Sequence, residues 1–167
     1  MIVAIDVHYK QEEAKIVAVL FDDWTDSEAR NFLIKYMPIA ADYEPGAFYK
    51  RELPCLLHIL EEIDLSDVNC IVVDGYVYLD DQMKKGLGAY LYDALSLPLP
   101  VIGLAKNSFR KSKEYSREVF RGSSVKPFYV TAVGVPLGEA VDCIQRMHGD
   151  FRVPTLLQQL DTKTKEP

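Results

Sequence analysis

Cysteine and histidine are scarce in this chain of 167 residues, which contains three of each. The cysteines, Cys55, Cys70 and Cys143, lie far apart, and each has apolar neighbours. This spacing fits neither a disulfide framework nor a zinc site. We therefore expect three buried free thiols.

Long hydrophobic runs and a leader sequence are also absent. No apolar stretch approaches the roughly 20 residues that a membrane span requires, and no basic segment followed by an apolar run opens the chain. These absences predict a cytoplasmic protein that does not enter a membrane. The length predicts a single domain over residues 1–161, followed by a frayed polar tail over 162–167, and we expect a monomer.

Positive charge is in deficit, because 19 basic residues face 25 acidic ones and the formal net charge is −6. This balance argues mildly against a nucleic-acid partner, but the charge is segregated. Residues 106–126 contain seven basic and only two acidic side chains. The segment predicts a nucleic-acid-binding surface, with Arg110, Lys111 and Lys126 as candidate substrate contacts. The alternative is an ordinary solvated face.

The order of predicted elements indicates an α/β fold. Three strands joined by short turns come first, which predicts an antiparallel meander. They cover residues 2–9, 14–21 and 32–38, although a helix starting at Ser27 is an alternative for the third. Helices at 51–63, 82–95 and 138–147 then alternate with strands at 70–74, 101–105 and 127–133. This order predicts a ribonuclease H-like mixed sheet, with the meander followed by parallel strands and helices on both faces.

Two of the apolar strands end in an aspartate. Asp74, followed by Gly75, closes the run Cys-Ile-Val-Val, and Asp6 closes the run Ile-Val-Ala-Ile. Open α/β sheets place their chemistry at such carboxyl ends, although a lone aspartate there can equally cap a turn. The first predicted helix has its apolar face at Leu53, Leu56, Leu57, Leu60 and Ile63. Glu52, in the first turn of this helix, is a third acid, and the helix dipole alone could account for it.

If the three acids converge, their mutual repulsion requires a neutralising cation. Oxygen ligands without a nearby histidine or cysteine suit Mg²⁺, with Mn²⁺ as the alternative. Magnesium held by carboxylates most often acts on phosphate esters. Metal-dependent phosphodiester chemistry is therefore one hypothesis. The other is that one or more of these acids caps a turn or is simply exposed.

Seven short motifs also occur in a recognisable order, and through them the chain resembles the endonuclease V family from Val3 to about Asp161. The motifs are Ala4-Ile-Asp-Val-His-Tyr9, Tyr43-Glu-Pro-Gly46 with Arg51-Glu-Leu-Pro54, Val72-Val-Asp-Gly75, Gly86-Leu-Gly88, Ile102-Gly-Leu-Ala-Lys106, Lys126-Pro-Phe-Tyr-Val130 and Arg152-Val-Pro154.

The resemblance implies a ribonuclease H-like fold and magnesium-dependent cleavage of nucleic acid. The cut would fall at the second phosphodiester on the 3′ side of a deaminated base, usually inosine. Position by position, Asp6, Glu52 and Asp74 match the metal-binding and catalytic acids of the family. Lys106 matches a lysine that meets a phosphate and is counted with the catalytic residues.

The resemblance also implies where the substrate binds. Tyr43 matches the aromatic wedge that fills the gap left by an extruded base, and Gly46 lies in the loop that lines the base pocket. Gly75, beside Asp74 in its motif, is a further candidate for substrate contact. A flipped base requires both a stacking surrogate and a closely fitting pocket.

Departures from the family pattern lie close to these acids. A histidine that usually follows the Val-Asp-Gly motif is replaced here by Tyr76, and further on stand Asp80 and Asp81, which are candidates for a substitute metal ligand. They could instead mark an altered substrate, such as RNA or another lesion, or a weakened enzyme. A protein that binds nucleic acid without cleaving it is the remaining alternative.

Overall fold

The computed structural model describes residues 1–39, 41–42, 44–45, 47–108 and 113–167. These residues form one seven-stranded mixed sheet in the order β3-β2-β1-β4-β5-β7-β6, with four helices. The strands are β1 Ile2–Lys10, β2 Glu13–Phe21, β3 Asn31–Pro38, β4 Cys70–Asp74, β5 Val101–Ala105, β6 Arg117–Val119 and β7 Phe128–Val133; the helices are α1 Tyr49–Leu60, α2 Leu87–Ala94, α3 Leu137–Arg146 and α4 Thr155–Lys165.

The first three strands form the antiparallel meander that the sequence predicts. β1 and β2 pair along their whole length, from Ile2 opposite Phe21 to Lys10 opposite Glu13. Gln11 allows the tight turn between them by adopting a positive φ of 54°. β3 then pairs with β2 in the same antiparallel manner, so the strand prediction for this segment is confirmed over the helix alternative.

The centre of the sheet is parallel. β4 lies beside β1, with Ile5 next to Val73, and β5 lies beside β4, with Leu104 next to Asp74. Because parallel strands end at the same edge of a sheet, their carboxyl ends meet there. β7 returns antiparallel to β5, and β6 pairs antiparallel with β7. The arrangement is the predicted ribonuclease H-like fold.

Helices cover both faces of the sheet. On one face α1 and α2 pack on alternate strand residues that include Val3 and Ile5, and on the other α3 and α4 pack on their neighbours, Ile2 and Ala4. The alternation continues past these residues, since side chains in a strand point to opposite faces in turn. Asp6 is thereby directed toward the α4 face.

None of the helices in the described part of the chain has the length and apolar character that a membrane-spanning helix needs.

Four local predictions require correction. Of the three thiols expected to be buried, Cys55 and Cys70 are buried, but Cys143 is only half-buried. The helix predicted over residues 82–95 begins only at Leu87, because the residues before it form a turn in which Tyr78 bridges to Lys85 and Met83 has a φ of 59°. The sequence interpretation missed β6. It also missed α4, which continues to Lys165, so most of the supposed tail is helical and Thr164 is buried.

A buried lysine fixes the end of α4 to the sheet. Lys15, on β2, is only 6% exposed. Its ammonium group donates hydrogen bonds to the backbone oxygens of Lys163, at 2.6 Å, and of Glu166, at 2.8 Å. These contacts satisfy carbonyl groups that the last turn of a helix leaves unpaired. Residues that the sequence suggests are a loose tail are thus held against the core.

Arg121 connects two loops that would otherwise be separate, although it belongs to the segment predicted as a basic surface. Its side chain is buried, and its guanidinium donates to four backbone oxygens at 2.6–3.1 Å: those of Met147, Gly149, Phe151 and Arg152. This charge therefore contributes to the fold and not to an exposed basic face.

We expect the substitution Arg121→Met to lower the free energy of unfolding by more than about 2 kcal/mol, because it leaves buried carbonyl groups without donors. Arg117→Met is the matched control, since Arg117 is exposed and its guanidinium contacts carbonyls of its own loop. It should cost less than about 0.5 kcal/mol. Urea denaturation measures both, and equal losses would contradict the structural role of Arg121.

Candidate active site

The carboxyl ends of β4 and β5 and the middle of β1, where its parallel pairing with β4 stops, border a pocket whose far wall is α4. We call it the acidic pocket. Its charged lining consists of Asp6, Asp74, Asp161 and Lys106. The rest of the wall is largely apolar: Ala4, Ile5, Val72, Val73, Leu104, Phe128, Val153, Leu157, Gln158 and Leu160. The structure thus brings together three of the predicted site residues, Asp6, Asp74 and Lys106, with one that was not predicted.

Strand register places Asp6 and Asp74 at the same level. Each follows one member of the Ile5–Val73 pair on adjacent parallel strands. Asp6 accepts a hydrogen bond from the backbone N–H of Val7 at 2.9 Å. Its pKa is raised from 3.8 to about 6, chiefly by burial and next by the charge of Asp74. The middle of β1 and the end of β4 therefore hold a carboxylate pair that resists full ionisation.

Asp74 keeps access to solvent, since it is the exposed last residue of β4. It nevertheless lies in a recess whose walls displace part of its hydration. This desolvation raises its pKa, the charge of Lys106 opposes the rise, and the charge of Asp161 adds to it. The electrostatics of the acidic pocket thus depend on all four charged groups.

Lys106 follows the last residue of β5, as predicted. Its charge lowers the pKa of both Asp6 and Asp74. The backbone oxygen of Lys106 accepts a hydrogen bond at 3.0 Å from the guanidinium of Arg152, which also donates to the oxygen of Pro127 at 2.7 Å. Arg152 therefore fixes the strand end that carries the lysine.

Asp161 is the acid of the pocket wall that the sequence interpretation missed. It lies on α4, one turn after Leu157, and both side chains face the acidic pocket. Lys165 contacts its carboxylate at 3.0 Å in an exposed ion pair. The spacing of Leu156, Leu160 and Thr164 on the buried face of α4 was a signal for this helix, because residues four apart lie on one face.

Glu52 is turned inward by α1. The buried face of this helix consists of Glu52, Cys55, Leu56, Ile59 and Leu60, whereas the predicted face began at Leu53. Glu52 is 7% exposed. Its pKa rises from 4.5 to about 7, mainly through burial, while a hydrogen bond from Tyr9 lowers it and the charges of Asp6 and Asp74 raise it. Glu52 is close enough to respond to both aspartates but does not line the acidic pocket.

Tyr9 and Arg51 surround Glu52. The Tyr9 hydroxyl donates a short hydrogen bond to the Glu52 carboxylate. The Arg51 guanidinium lies 3.6 Å from the centroid of the Tyr9 ring, and its buried Nε has no hydrogen-bond partner among the described residues. Tyr9 lies on the α1 face of β1, three residues after Asp6, whose side chain points to the α4 face. The strand β1 therefore carries polar groups of the site on both faces of the sheet.

The described residues contain no ready cluster of three or more His, Cys, Asp or Glu side chains that could hold a metal ion. Asp6 and Asp74 both line the acidic pocket, whereas Glu52 does not line it and accepts a hydrogen bond from the Tyr9 hydroxyl. The predicted meeting of all three acids around one cation therefore remains a prediction. What the structure provides is a pair of carboxylates with Asp161 as the third acid of the same pocket.

The other predicted residues fall into three groups. Tyr43, Gly46, Arg110 and Lys111 lie outside the described residues. Gly75 directly follows β4 with a φ of 137°, and a Cβ atom there would lie 3.7 Å from the ring of Phe48. Lys126 is exposed just before β7, whose first residue, Phe128, lines the acidic pocket.

The carboxylates of Asp80 and Asp81, the candidate substitute ligands, accept hydrogen bonds from backbone N–H groups outside the acidic pocket. The carboxylate of Asp80 accepts from the backbone N–H groups of Gln82 and Lys84, both at 3.0 Å, and so caps its own turn. That of Asp81 accepts from the N–H of Lys113 at 2.9 Å and links this turn to the basic segment. Neither lines the acidic pocket, so the structure does not place them as ligands there.

Comparisons with known proteins, by sequence and by fold, point to one class. The sequence profile described as Endonuclease V matches residues 1–146. Endonuclease V from Nostoc punctiforme is 27% identical over 158 residues, which covers 83% of this chain and 68% of that protein.

Solved structures agree on the fold. Endonuclease V from Streptomyces avermitilis superposes with a TM-score of 0.81 at 23% identity, over 98% of this chain and 79% of that one. The Ciona intestinalis enzyme, in complex with a 24mer DNA containing an inosine followed by a ribo-adenosine, gives 0.77 at 16% identity, over 98% and 83%. The matching sequence profile defines the class as that of nucleases. This chain belongs to the endonuclease V family.

The raised pKa values predict how stability changes with pH. Asp6 and Glu52 titrate at about 6 and about 7 in the folded protein but near 3.8 and 4.5 otherwise. Between these limits the folded state keeps protons that the unfolded chain has released. Their contribution is present below about pH 4 and lost by about pH 7.

In metal-free buffer we therefore expect the free energy of unfolding to fall as pH rises across this window, and to fall less in the double variant Asp6→Asn/Glu52→Gln. Urea denaturation at several pH values measures the slope, which reports the difference in bound protons between the two states. Identical slopes for the two proteins would contradict the assigned pKa shifts.

Proposed function

We propose that this protein is a magnesium-dependent endonuclease that cleaves a phosphodiester bond on the 3′ side of a deaminated base such as inosine. The observation that carries the proposal is the acidic pocket, where the middle of β1, the end of β4 and the helix α4 direct Asp6, Asp74 and Asp161 toward a common space beside Lys106. Membership of the endonuclease V family supports the class of reaction.

The donor chemistry of the acidic pocket fits a hard divalent cation. Its carboxylates face a single lining lysine, and the pKa of both Asp6 and Asp74 is raised by the surroundings and by neighbouring acids. A divalent cation would relieve this repulsion, and oxygen-only ligands favour Mg²⁺ or Mn²⁺. The exposed pair between Asp161 and Lys165 would cost little to break. The fit concerns donor type and location, since the ligand shell is not closed.

Each residue has a distinct role in the proposed reaction. Asp6, Asp74 and Asp161 would hold the cation, which supplies a polarised phosphoryl oxygen and an activated water. Glu52, which lies behind the pocket wall and has a pKa raised to about 7, would serve as the proton acceptor of the reaction. Lys106 would contact the phosphate backbone, where cations position a nucleic acid without reading its sequence.

The deaminated base is inferred from relatives and from the matching loop residues. The Ciona intestinalis enzyme is in complex with DNA that contains inosine. Tyr43 and Gly46, which match the wedge and the base-pocket loop of the family, stand in the segment before α1. A base extruded from its stack would need such a wedge and pocket. A wedge and pocket of this kind would accept a base from either DNA or RNA, and comparing the two nucleic acids as substrates decides between them.

We expect Asp74→Asn to reduce cleavage of an inosine-containing oligonucleotide by at least about 100-fold, because it removes a ligand for the catalytic cation. The matched control is Asp67→Asn, in the turn before β4 at the opposite end of that strand. Product formation on a denaturing gel measures both. Undiminished cleavage by Asp74→Asn, with Asp67→Asn active, would remove the acidic pocket from the mechanism.

Magnesium should also stabilise the protein without any substrate, because an ion that binds only the folded state raises the melting temperature. We expect a rise at millimolar Mg²⁺ in the wild-type protein and in Asp67→Asn, and none in Asp6→Asn or Asp74→Asn. Sodium chloride at matched ionic strength controls for screening. A similar shift in all four proteins would place the ion elsewhere.

One observation favours a second candidate, a protein that binds nucleic acid without cleaving it. The hydroxyl of Tyr9 already occupies the Glu52 carboxylate, and a glutamate held in this way could be unavailable to a water. The two candidates differ in one measurement. A nuclease gains a Mg²⁺-dependent cleavage rate, whereas the alternative binds the same oligonucleotide with no product at any Mg²⁺ concentration.

A further inference from the structure

Two phenylalanines are exposed on neighbouring loops beside the acidic pocket. Phe151 is 79% exposed and Phe120 is 52% exposed, although phenylalanine is among the residues most often buried. Phe120 directly precedes Arg121, and Phe151 lies in the segment whose backbone oxygens accept hydrogen bonds from Arg121. Neither the core nor the proposed catalytic residues account for their exposure.

The two loops are in direct contact through their backbones. Arg121, next to Phe120, donates to the backbone oxygen of Phe151 at 2.8 Å. A Cβ atom on Gly122 would lie 3.2 Å from the Cα of Phe151. The guanidinium of Arg121 also holds the oxygens of Met147 and Gly149. The segment that carries Phe151 is therefore fixed by a buried charge, which reduces the entropy lost when a ligand binds to it.

The same segment forms part of the pocket wall. Val153 lines the acidic pocket and lies two positions after Phe151, so their Cα atoms are at most about 7.6 Å apart. Between them, Arg152 donates to the backbone oxygen of Lys106 and lies 4.9 Å from the centroid of the Phe128 ring. Both Lys106 and Phe128 line the pocket, so the segment that carries Phe151 is adjacent to the place where the strand would be cut.

We infer that Phe151, with Phe120 beside it, forms an aromatic platform on which an unpaired base of the bound strand stacks. The inference rests on the proposed function and assigns part of its substrate site. A nucleic-acid base fits the position because exposed lysines, Lys106 and Lys126, border the same loops and would meet the backbone phosphates. Aromatic rings near such cations bind single strands with little sequence preference.

The test measures binding separately from cleavage. In an Asp74→Asn background, fluorescence anisotropy of a labelled single-stranded oligonucleotide containing inosine reports affinity. We expect Phe151→Ala to weaken binding about 5- to 100-fold, and Phe151→Trp to retain it, because tryptophan preserves a stacking face. The matched control is Tyr36→Ala, which removes a 50% exposed aromatic residue from β3 at the opposite edge of the sheet and should leave the affinity unchanged.

A fluorescence signal tests stacking itself. Trp24 is the sole native tryptophan, so the double variant Trp24→Phe/Phe151→Trp carries a single reporter at position 151. Addition of the oligonucleotide should quench its emission, while the same addition to wild-type protein should change the emission of Trp24 much less. Unchanged affinity of Phe151→Ala, unquenched emission at position 151, or a wild-type protein that binds no strand would each overturn the inference.

The two proposals fail in different ways. If the wild-type protein binds the strand without cleaving it and Phe151→Ala binds more weakly, the platform stands and the nuclease assignment falls. If the wild-type protein cleaves inosine-containing substrate and Phe151→Ala has the same KM and affinity, the platform falls alone.

Discussion

Repulsion between two carboxylates on adjacent parallel strands, at the point where the pairing of those strands stops, is the constraint on which the rest of this structure depends. The register that sets Ile5 beside Val73 leaves the next residues, Asp6 and Asp74, no way to separate without disrupting the centre of the sheet. The protein accommodates them by raising their pKa values and by placing Lys106 at the end of the next strand. The repulsion within this pair raises the free energy of the ionised folded protein, and a bound divalent cation would remove that repulsion.

The rest of the fold supports this pair from two sides. On one face α1 turns Glu52 inward and Tyr9 binds its carboxylate. On the other α4 adds Asp161, and the buried ammonium of Lys15 fixes the carboxyl end of that helix. Two buried or half-buried arginines, Arg121 and Arg152, then hold the loops around the opening by donating to backbone oxygens. Much of the positive charge near the site is therefore structural.

Local patterns were sufficient to predict the features that depend on neighbouring residues. The buried strands before Asp6 and Asp74 and the meander of short-turned strands follow from apolar runs and turn residues. Features set by distant packing were missed. Asp161 reaches the acidic pocket only because α4 packs across β1 and β2. The sequence around Arg121 indicates an exposed charge, and only the packing of its loop against residues 147–152 buries the side chain. The inward turn of Glu52 depends on which face of α1 meets the sheet, and a one-residue rotation separates the predicted face from the observed one.

The central claim is that Asp6, Asp74 and Asp161 form one divalent-cation site. A crystal structure of the protein with Mn²⁺, located by its anomalous scattering, tests this claim most directly. The account predicts an ion in the acidic pocket with carboxylate oxygens of Asp6 and Asp74 within roughly 2.0–2.2 Å, since octahedral oxygen coordination suits Mn²⁺ as it does Mg²⁺. An ion bound only outside that pocket, or a pocket that stays empty at saturating Mn²⁺, would contradict it.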